Sequence, residues 1–427
     1  MRVYLDSLGC RLNEAELASW RLGFREAGHG IALRVEDADV AVFNSCAVTQ
    51  DASRSSRKST RRLHRLNPDA KIVLTGCYAS LEPEEARGLE GVDLLVGNRD
   101  KDQLVQRVLD ELPGWEMPVR AEAFIEEGDS EIGERSRAFV KVQDGCRHKC
   151  TYCIVTRARG EERSRSVEDI TQEINRLHAS GHAEAVLTGV HLGGYGNDLG
   201  IELTDLIEAL LRDTAMPRIR IGSLEPWRLD ERFFALWGRS ERLMPHLHLP
   251  LQSGSDTVLK RMGRRCSQEG YARLVEQARR AIPDLHLSTD LIVGFPGETE
   301  AEFEEGLNFA EAMGFGQVHL FSYSPRSGTR AAKMSGQLDR ETKRQRSQRI
   351  HEAAVVWKQK AMAPLLGRKA EVLWERPVEG RPWQGYTKSY FRVLMDAPDL
   401  QWRRGLTTAV QLESLGEGAY RVVAGSQ

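Results

Sequence analysis

The stretch ADVAVFNSC, residues 38–46, is an apolar run rich in β-branched residues that ends in a small residue and a cysteine. Two further stretches have the same design, VYLDSLGC at 3–10 and AKIVLTGC at 70–77. Such runs indicate buried parallel strands, and the segments 14–27 and 52–66 between them have helical patterns. Alternating strands and helices predict a parallel α/β sheet with helices on its faces.

Each of these runs places a cysteine just beyond the end of its predicted strand. The three are Cys10, Cys46 and Cys77, here called the first triplet. Parallel strands bring their C-terminal ends to one edge of a sheet, where open α/β sheets bind ligands. A single free cysteine is usually a small buried hydrophobe, but three at the same position of successive units favour a metal or cluster site.

Length and composition indicate a multidomain enzyme with reduced thiols. The chain has 427 residues, of which 29% are charged and 41% hydrophobic, so two or three globular domains are expected. A formal net charge of −2 argues against a general polyanion binder. An odd count of 7 cysteines argues against a secreted disulfide framework. With no long apolar run and no signal-peptide pattern at the start, we expect a cytoplasmic location and no membrane association.

A second set of cysteines lies close together in DGCRHKCTYC, residues 144–153. It contains Cys146, Cys150 and Cys153, here called the second triplet. Structural zinc normally has four protein ligands, and His148 lies between charged neighbours that suit solvent, so zinc is the weaker alternative. Four-iron clusters are held by thiolates, and three protein ligands leave one iron open to a substrate or cofactor.

The spacing Cys-x3-Cys-x2-Cys, with Tyr152 before the last cysteine, resembles the cluster motif of the radical S-adenosylmethionine (SAM) superfamily. The upstream first triplet narrows the resemblance to the methylthiotransferases. Residues 44–79 and HLPLQSGSDTVLKRMGR (248–264) resemble the MtaB-like branch, whose members modify N6-threonylcarbamoyladenosine beside the tRNA anticodon. The resemblance runs from about Arg2 to the C-terminus.

The resemblance implies an enzyme that adds a methylthio group to C2 of that nucleoside in tRNA. It implies two [4Fe–4S] clusters, one on each triplet, with SAM bound at the open iron of the cluster on the second triplet. No catalytic residue is assigned beyond the cluster ligands. Besides tRNA, the partners would be a sulfur source and an electron donor. The same chemistry allows isopentenyladenosine in tRNA or a ribosomal protein as substrate, and a separate hypothesis is an RNA-binding protein with iron–sulfur clusters.

Six runs in the central part of the chain have the composition of strands, and helical patterns separate them. They are FVKVQDG (139–145), EAVLTGV (184–190), RIRIGSLE (218–225), HLHLPLQ (246–252), LHLSTDLIVG (285–294) and GQVHLFSYS (316–324). One of the helices is expected to begin at Ser166, in a capping-box-like pattern. Six β/α units are too few for a closed eight-stranded barrel, so we expect an open, partial (β/α)6 barrel, which is also the radical SAM architecture.

The remaining segments complete a prediction of three domains. A polar stretch at 113–138 indicates a linker with one strand, and residues 338–363 indicate an amphipathic helix. Short β-type runs over about 366–423 predict a small antiparallel barrel, and GYTKSYFRVLM (385–395) resembles the RNA-binding TRAM domain. The predicted domains are an N-terminal methylthiotransferase domain at 1–115, a radical SAM domain at 135–362, and a TRAM-like domain at 364–427.

Loops after the predicted barrel strands supply the candidate contacts to SAM. A glycine pair lets backbone approach a ligand closely, and a buried carboxylate needs a partner; by resemblance the glycine pair holds the methionyl amine of SAM. The family usually has serine at position 222, where this chain has glycine. The candidates are Tyr152, Gly193, Gly194, Ser223, Glu225, Gln252, Asp290 and Gly294.

A dense basic run, RSSRKSTRRLHR at 54–65, indicates a path for RNA phosphates, with a solvated helix face as the alternative. Its candidate contacts are Arg57, Lys58, Arg61 and Arg62, to which the TRAM-like segment adds Lys388 and Arg392. At the mouth of the barrel, Arg326 suits either a carboxylate of SAM or an RNA phosphate. Cys266 has no partner cysteine, so we expect a structural or incidental role for it.

Overall fold

The structure of the chain is a computed structural model. It describes residues 1–112, 135–227, 229–378, 380–396, 401–416 and 418–423. The predicted strand of the linker, residues 113–115 at the end of the first predicted domain, and residues 424–427 of the last lie outside the described residues. Among the helices that are described, none combines the length and apolar character needed to cross a membrane.

The N-terminal part forms a five-stranded parallel sheet in the order β2–β1–β3–β4–β5. Its strands are β1 (Arg2–Ser7), β2 (Gly30–Ile31), β3 (Val40–Ser45), β4 (Lys71–Gly76) and β5 (Val92–Val96). Its helices are α1 (Arg11–Glu26), α2 (Gln50–Leu66), α3 (Cys77–Leu81), α4 (Pro83–Arg87) and α5 (Leu104–Glu111). The predicted parallel α/β sheet is confirmed.

Strand β3 is buried along its whole length because both of its faces are covered. Val40 and Val42 pack with residues of α1 and α5 in one core cluster. Ala41 and Phe43 point the other way, into a cluster with residues of α2, α3 and α4. The near-continuous apolar run in the sequence therefore reflects a central strand between two layers of helices.

The central part contains six parallel strands, β6 and β9–β13, separated by helices as predicted, and a short additional pair, β7 and β8. Its strands are β6 (Arg137–Lys141), β7 (Gln143–Asp144), β8 (Arg163–Ser164), β9 (Glu184–Thr188), β10 (Arg218–Ile221), β11 (His246–His248), β12 (His286–Val293) and β13 (Gln317–Ser322). Its helices are α6 (Val155–Arg159), α7 (Val167–Ala179), α8 (Leu203–Asp213), α9 (Glu231–Ala235), α10 (Asp256–Met262), α11 (Gln268–Ala281), α12 (Glu300–Met313) and α13 (Arg340–Met362). Ser166 caps α7 by accepting a hydrogen bond from the backbone N–H of Asp169, as expected.

The six strands form two three-stranded sheets, β6–β9–β10 and β11–β12–β13. Isolated parallel bridges, Ile219 with Leu243 and Ser223 with His248, join the two sheets between β10 and β11. The short pair of β7 and β8 is antiparallel and stands apart from this array. One large core cluster lies between the strands and the surrounding helices, so the opposite, inner face of the strands is left to carry polar residues.

The C-terminal part is a six-stranded sheet in the order β17–β14–β15–β16–β19–β18. Its strands are β14 (Lys369–Trp374), β15 (Trp383–Thr387), β16 (Arg392–Asp396), β17 (Thr407–Gln411), β18 (Ser414–Gly416) and β19 (Ala419–Val423). The predicted antiparallel arrangement is correct except for β16 and β19, which pair in parallel. The chain first crosses to pair β17 with β14 and then turns back through β18, which brings β19 alongside β16 in the same direction.

The turn between β15 and β16 docks against the beginnings of the central strands. The guanidinium of Arg220 donates to the backbone carbonyl of Lys388 at 3.1 Å, and its carbon lies 4.6 Å from the centre of the Tyr390 ring. The ring of His286 stacks on Phe391 with centroids 4.1 Å apart. These contacts fill the strand-start end of the central unit and leave its other end, where the cysteines lie, open for chemistry.

Candidate active site

The first triplet lies at the C-terminal ends of three adjacent strands. Cys10 caps α1 after β1, Cys46 follows β3, and Cys77 begins α3 directly after β4. Because β1, β3 and β4 are neighbours in the sheet, residues tens of positions apart reach one edge. Gly9, with φ of 111°, presses against this group, since a Cβ there would stand 2.8 Å from Sγ of Cys46.

The thiols of the first triplet are placed so that they repel one another when ionised. Burial raises the pKa of Cys46 to about 11, and the neighbouring Cys77 and Cys10 act in the same direction. Thiolates grouped in this way need a cationic centre among them to be stable. The donor set therefore fits a metal cluster held by three sulfurs better than a set of isolated core residues.

The second triplet occupies the loop between β7 and α6. The Cys153 N–H donates to the Cys150 carbonyl at 3.1 Å, and the His148 N–H reaches Sγ of Cys146 at 3.4 Å. Gly145, with φ of 74°, allows the loop to pass the 160–161 backbone, because a Cβ there would collide with the carbonyl of Glu161. The backbone of this loop is therefore held by contacts within the protein.

Burial also opposes ionisation of the second triplet. It raises the pKa of Cys146 to about 12, and nearby Glu225, Cys153 and Cys150 add to the effect. The pKa of Cys153 is raised to about 11 by burial and by Cys150, with Cys77 of the first triplet contributing as well. Asn98 connects the two parts, because its side-chain nitrogen donates to the Ala158 carbonyl on α6 at 2.7 Å and lies 3.8 Å from Sγ of Cys77. The two triplets therefore lie near each other.

Arg159 at the end of α6 joins the two cysteine-bearing parts. Its buried guanidinium donates to Glu16 and Asp144 at 3.0 Å each and to Asn13 at 2.9 Å. The Glu16 carboxylate also accepts a hydrogen bond from the Lys101 ammonium group at 2.6 Å, and both of these side chains are buried. Removing one partner from a buried ion pair typically costs about 3–5 kcal/mol. This network fixes how the first triplet faces the second, and nothing in the local sequence indicated it.

The candidate SAM contacts fall into a group that converges on the second triplet and a group that does not. Glu225 converges: its Oε2 is buried without a hydrogen-bond partner, and burial raises the pKa of its carboxyl group. Gly193 stands beside it, since a Cβ there would lie 3.5 Å from that oxygen. Tyr152 lies next to Phe295, with ring centroids 6.5 Å apart. Nε2 of His191 lies 3.7 Å from the same oxygen. A buried carboxylate oxygen without a hydrogen-bond donor fits the ammonium group of an amino-acid ligand.

The other candidates have different surroundings. Gly194 packs under His191, because a Cβ there would lie 2.3 Å from its ring. Gln252, with φ of 71°, exchanges backbone hydrogen bonds with Asp290 and Ile292, both 2.8 Å.

Two of the remaining candidates are occupied by other contacts. The N–H of Gly294 donates to the Glu298 carboxylate at 2.7 Å, and Lys343 covers that glycine. Ser223 is exposed and bridges to His248.

Arg264 lies in the candidate SAM site, although the sequence gave no reason to choose it. Its guanidinium stands 4.6 Å from the centre of the Trp227 ring and donates to the carbonyl of Pro250 at 2.6 Å. Burial lowers its pKa, but the facing Tyr152 and Cys150 outweigh that effect and raise it. It is a cation held against the cysteine loop, where it balances negative charge.

A group of polar side chains that the sequence did not indicate supports the cysteine loop. Nδ1 of His191 lies 2.6 Å from Glu162, and its Nε2 lies 3.1 Å from Nε2 of His148. Ligand atoms of Cys146, Glu162 and His191 all lie within 4.8 Å of one another, which is metal-binding spacing. Glu162 is already paired with Arg147 at 2.6 Å as well as with His191, so these groups satisfy one another and support the loop.

The candidate RNA contacts lie at two separate places. On α2, Lys58, Arg61 and Arg62 are exposed, whereas Arg57 pairs with Glu85 at 3.2 Å. Lys388 and Arg392 lie at the turn that docks on the strand-start end of the central unit. Arg326 stands in the cleft near Cys46 and Glu82, with its Nε buried and without a hydrogen bond among the described residues.

Comparison with protein families assigns each cysteine triplet to a different model. The Radical SAM superfamily model matches residues 140–310, which include the second triplet. The model described as Uncharacterized protein family UPF0004 matches residues 2–97, which include the first triplet.

Two curated relatives are similar over most of the chain. Threonylcarbamoyladenosine tRNA methylthiotransferase MtaB of Bacillus subtilis (strain 168) is 37% identical over 409 residues, covering 92% of this chain and 90% of that protein. The tRNA-2-methylthio-N(6)-dimethylallyladenosine synthase of Geobacillus thermodenitrificans (strain NG80-2) is 35% identical over 404 residues, covering 91% and 77%.

A solved structure is similar at the level of the fold. The radical SAM methyltransferase TsrM from Kitasatospora setae superposes with a TM-score of 0.57 at 14% sequence identity. The match covers 78% of this chain and 77% of that one.

Proposed function

The chain belongs to the radical SAM methylthiotransferase family, and from this premise we propose that it adds a methylthio group to C2 of N6-threonylcarbamoyladenosine in tRNA. The observation that carries the proposal is the meeting of two cysteine triplets at one site, with Arg159 fixing their relation. One strand-end triplet and one loop triplet provide for two different iron–sulfur clusters, as sulfur insertion requires.

The cofactors are two [4Fe–4S] clusters and SAM. We propose that the first triplet holds one cluster and the second triplet the other, because each presents three thiols and no further cysteine converges on either among the described residues. When bound, the second cluster and SAM would supply radical chemistry able to remove hydrogen from an aromatic carbon, and the first cluster and a further SAM would supply the sulfur and its methyl group.

The side chains of the protein position these reagents. We propose that Oε2 of Glu225, which accepts no hydrogen bond in the described part of the chain, and the backbone of Gly193 receive the SAM ammonium group, while Tyr152 packs against the bound cofactor. Arg264 offers a cation near Cys150 for the SAM carboxylate. The other candidate contacts, Gly194, Ser223, Gln252, Asp290 and Gly294, stay predictions about the wider SAM pocket.

Nucleoside mass spectrometry tests the substrate. In tRNA from a strain that lacks this gene, we expect N6-threonylcarbamoyladenosine to persist without its methylthio group and 2-methylthio-isopentenyladenosine to be unchanged. Restoring the gene should restore the lost nucleoside. Loss of the methylthio group from isopentenyladenosine alone would support the alternative suggested by the name of the second relative, and an unchanged tRNA pool would point to a protein substrate.

We propose that the exposed basic face of α2 binds tRNA phosphates. Lys58, Arg61 and Arg62 are exposed, and only Arg62 of the three interacts electrostatically with acidic groups in the described part of the chain, namely Asp6 and Glu36. The double variant Lys58→Glu with Arg61→Glu is expected to weaken tRNA binding at least tenfold and to make its salt dependence shallower, because each lost phosphate contact reduces the slope by roughly 0.7–0.9.

Fluorescence anisotropy over a salt series measures both effects. The matched control is Arg273→Glu with Arg280→Glu on α11, which makes the same change in net charge on an outer helix of the central unit. Equal losses for the two double variants would mean that only overall charge matters. The variant Lys388→Glu, measured in the same series, tests whether the TRAM-like part also contacts tRNA. Lys388 and Arg392 are its proposed contact residues.

Two further assignments are proposed. The partners are tRNA, a sulfur source and an electron donor, since the reaction consumes both sulfur and electrons, and the cytoplasm is the location in which all three meet. The domain boundaries remain those of the sequence, at 1–115, 135–362 and 364–427.

A further inference from the structure

A recess on the inner face of the central strands lies beside both cysteine triplets. His319 on β13 pairs in register with Asp290 on β12, and its ring centroid stands 5.5 Å from that of His248 on β11. Asp290 and Tyr152 are close enough to interact electrostatically, which places the recess next to the second triplet. At its other side stands Arg11, the residue after Cys10 of the first triplet.

The polar groups of the recess are unequally satisfied. Nδ1 of His248 lies 2.9 Å from the hydroxyl of Ser288, and its Nε2 lies 3.3 Å from Oδ1 of Asp290. Asp290 and His248 therefore already contact each other. His319, in contrast, forms no hydrogen bond or ion pair with any residue in the described ranges, although it lies in the middle of a strand and is exposed. One ring in this recess is left to bind something else.

Phe321 adds an open aromatic surface to the same recess. It lies two residues after His319, so both side chains project from the same face of β13. Ser322 points the opposite way, to the hydroxyl of Ser347 on α13 at 2.9 Å, which confirms that alternation. Phe321 is 47% exposed. A large apolar ring left uncovered on the inner face of the strands is suited to stack on a planar ligand.

Arg11 closes the recess and gives it positive charge. Its guanidinium carbon lies 5.1 Å from the ring centre of Phe139 on β6, and it is close enough to interact electrostatically with His319 on β13. Its ion-pair partner is Glu14 at 2.7 Å, but Glu14 is shared with Arg135. One carboxylate thus serves two guanidinium groups, so the Arg11 side of the recess has one more positive than negative group, opposite Asp290.

We propose that this recess binds the target nucleoside, with Phe321 against the purine and with Arg11 and His319 receiving the carboxylate of its N6 substituent. We call it the inner recess, formed by Arg11, Phe139, His248, Asp290, His319 and Phe321. The inference rests on the proposed function and deepens it, since it names the residues that distinguish an anionic substituent from an apolar one. It gives Phe321 and His319 direct contact with the substrate.

The recess should discriminate between the two N6 substituents because only one of them carries a carboxylate. A substituent with a carboxylate pairs with Arg11 and His319, whereas a dimethylallyl group would cover both and satisfy neither. Covering polar groups without giving them a partner is costly, so sites built on hydrogen bonds reject analogues that lack the bonding group more strongly than apolar pockets reject polar analogues. The recess should therefore favour threonylcarbamoyladenosine over isopentenyladenosine.

Binding of three anticodon stem-loop RNAs to the full-length, anaerobically reconstituted protein tests this inference. The RNAs share one sequence and differ only at the target position, which carries threonylcarbamoyladenosine, isopentenyladenosine or adenosine. We expect the wild-type protein to bind the first about tenfold more tightly than the other two. Arg11→Gln and His319→Leu should bring this ratio close to one, and Phe321→Ala should weaken binding of all three RNAs.

Two controls report on indirect effects. Arg212→Gln removes an exposed arginine that, like Arg11, has a neighbouring acidic partner, and Val355→Ala trims an exposed apolar side chain on α13. Both should keep the wild-type ratio. If Arg11→Gln loses iron because it adjoins Cys10, His319→Leu carries the test, with an unchanged iron content as its check.

The outcomes separate this inference from the proposed function. An unaltered preference in His319→Leu and in every iron-replete Arg11→Gln preparation would overturn the inner recess as the binding site, even if the enzyme modifies threonylcarbamoyladenosine. A wild-type protein that prefers the isopentenyl RNA overturns both. If threonylcarbamoyladenosine in the deletion strain keeps its methylthio group while the binding ratios follow the expectation, the proposed function fails and the recess stands as a site for anionic nucleosides.

Discussion

Cys150→Ala is expected to form no 5′-deoxyadenosine from SAM and to retain roughly half of the iron of the wild-type protein after reconstitution, since a [4Fe–4S] cluster needs its thiolates. Cys150 is the middle cysteine of the second triplet, and Arg264 stands against its sulfur. The loop around it is held by backbone hydrogen bonds, such as the Thr151 N–H to the Met262 carbonyl at 2.8 Å. The loss should therefore come from the missing ligand and not from unfolding.

Iron and sulfide analysis, together with chromatography of the SAM products under a strong reductant, measures this effect. The matched control is Cys266→Ala, which removes the one cysteine outside both triplets. It should keep the wild-type iron content and SAM cleavage. Continued formation of 5′-deoxyadenosine by Cys150→Ala would contradict the assignment of the second triplet as the SAM-binding site.

Cys46→Ala is expected to separate the two halves of the reaction. The variant should still cleave SAM but yield no methylthiolated nucleoside, and it too should hold roughly half of the wild-type iron. The reason is that the first triplet lies on a different sheet from the second, with its own backbone support at the ends of β1, β3 and β4. Removal of Cys46 removes none of the hydrogen bonds of the second triplet or of Arg159.

The check for Cys46→Ala is a paired measurement of 5′-deoxyadenosine and of methylthiolated nucleoside in the same reaction. The amount of 5′-deoxyadenosine should stay near the wild-type value, while the methylthiolated nucleoside should fall below detection. If both products disappear together, the first triplet is needed for the stability of the whole site and not for sulfur insertion alone. If the nucleoside persists, the first triplet does not serve the reaction.

Local patterns were enough to predict the strands and the positions of both triplets. The alternation of apolar strand runs and helices is set by short-range periodicity, and parallel strands place their ends at one edge regardless of the distant chain. The six central runs became β6 and β9–β13 for the same reason. The partners of the candidate residues were harder to predict, as Gly294 shows, because its amide is taken up by Glu298.

Other features depend on contacts between distant parts of the chain. The parallel pairing of β16 with β19 follows from how β17 and β18 cross the sheet, which strand composition does not encode. The docking of Lys388 against Arg220 likewise depends on how the C-terminal sheet meets the central strands. In each case the sequence supplied a strand or a charged residue but not its partner.

By itself, the sequence determined the order of strands and helices, the two cysteine triplets and the family to which the chain belongs, because each of these is written in spacing along the chain. Only the tertiary structure decided that Arg159 joins the triplets and that Arg11 lies near His319, whose neighbour Phe321 is exposed on the same strand face. These residues come from β1–α1, α6 and β13, far apart in sequence. Burial and charge pairing act through space, so a site assembled at the junction of two sheets exists only once both sheets have folded against each other.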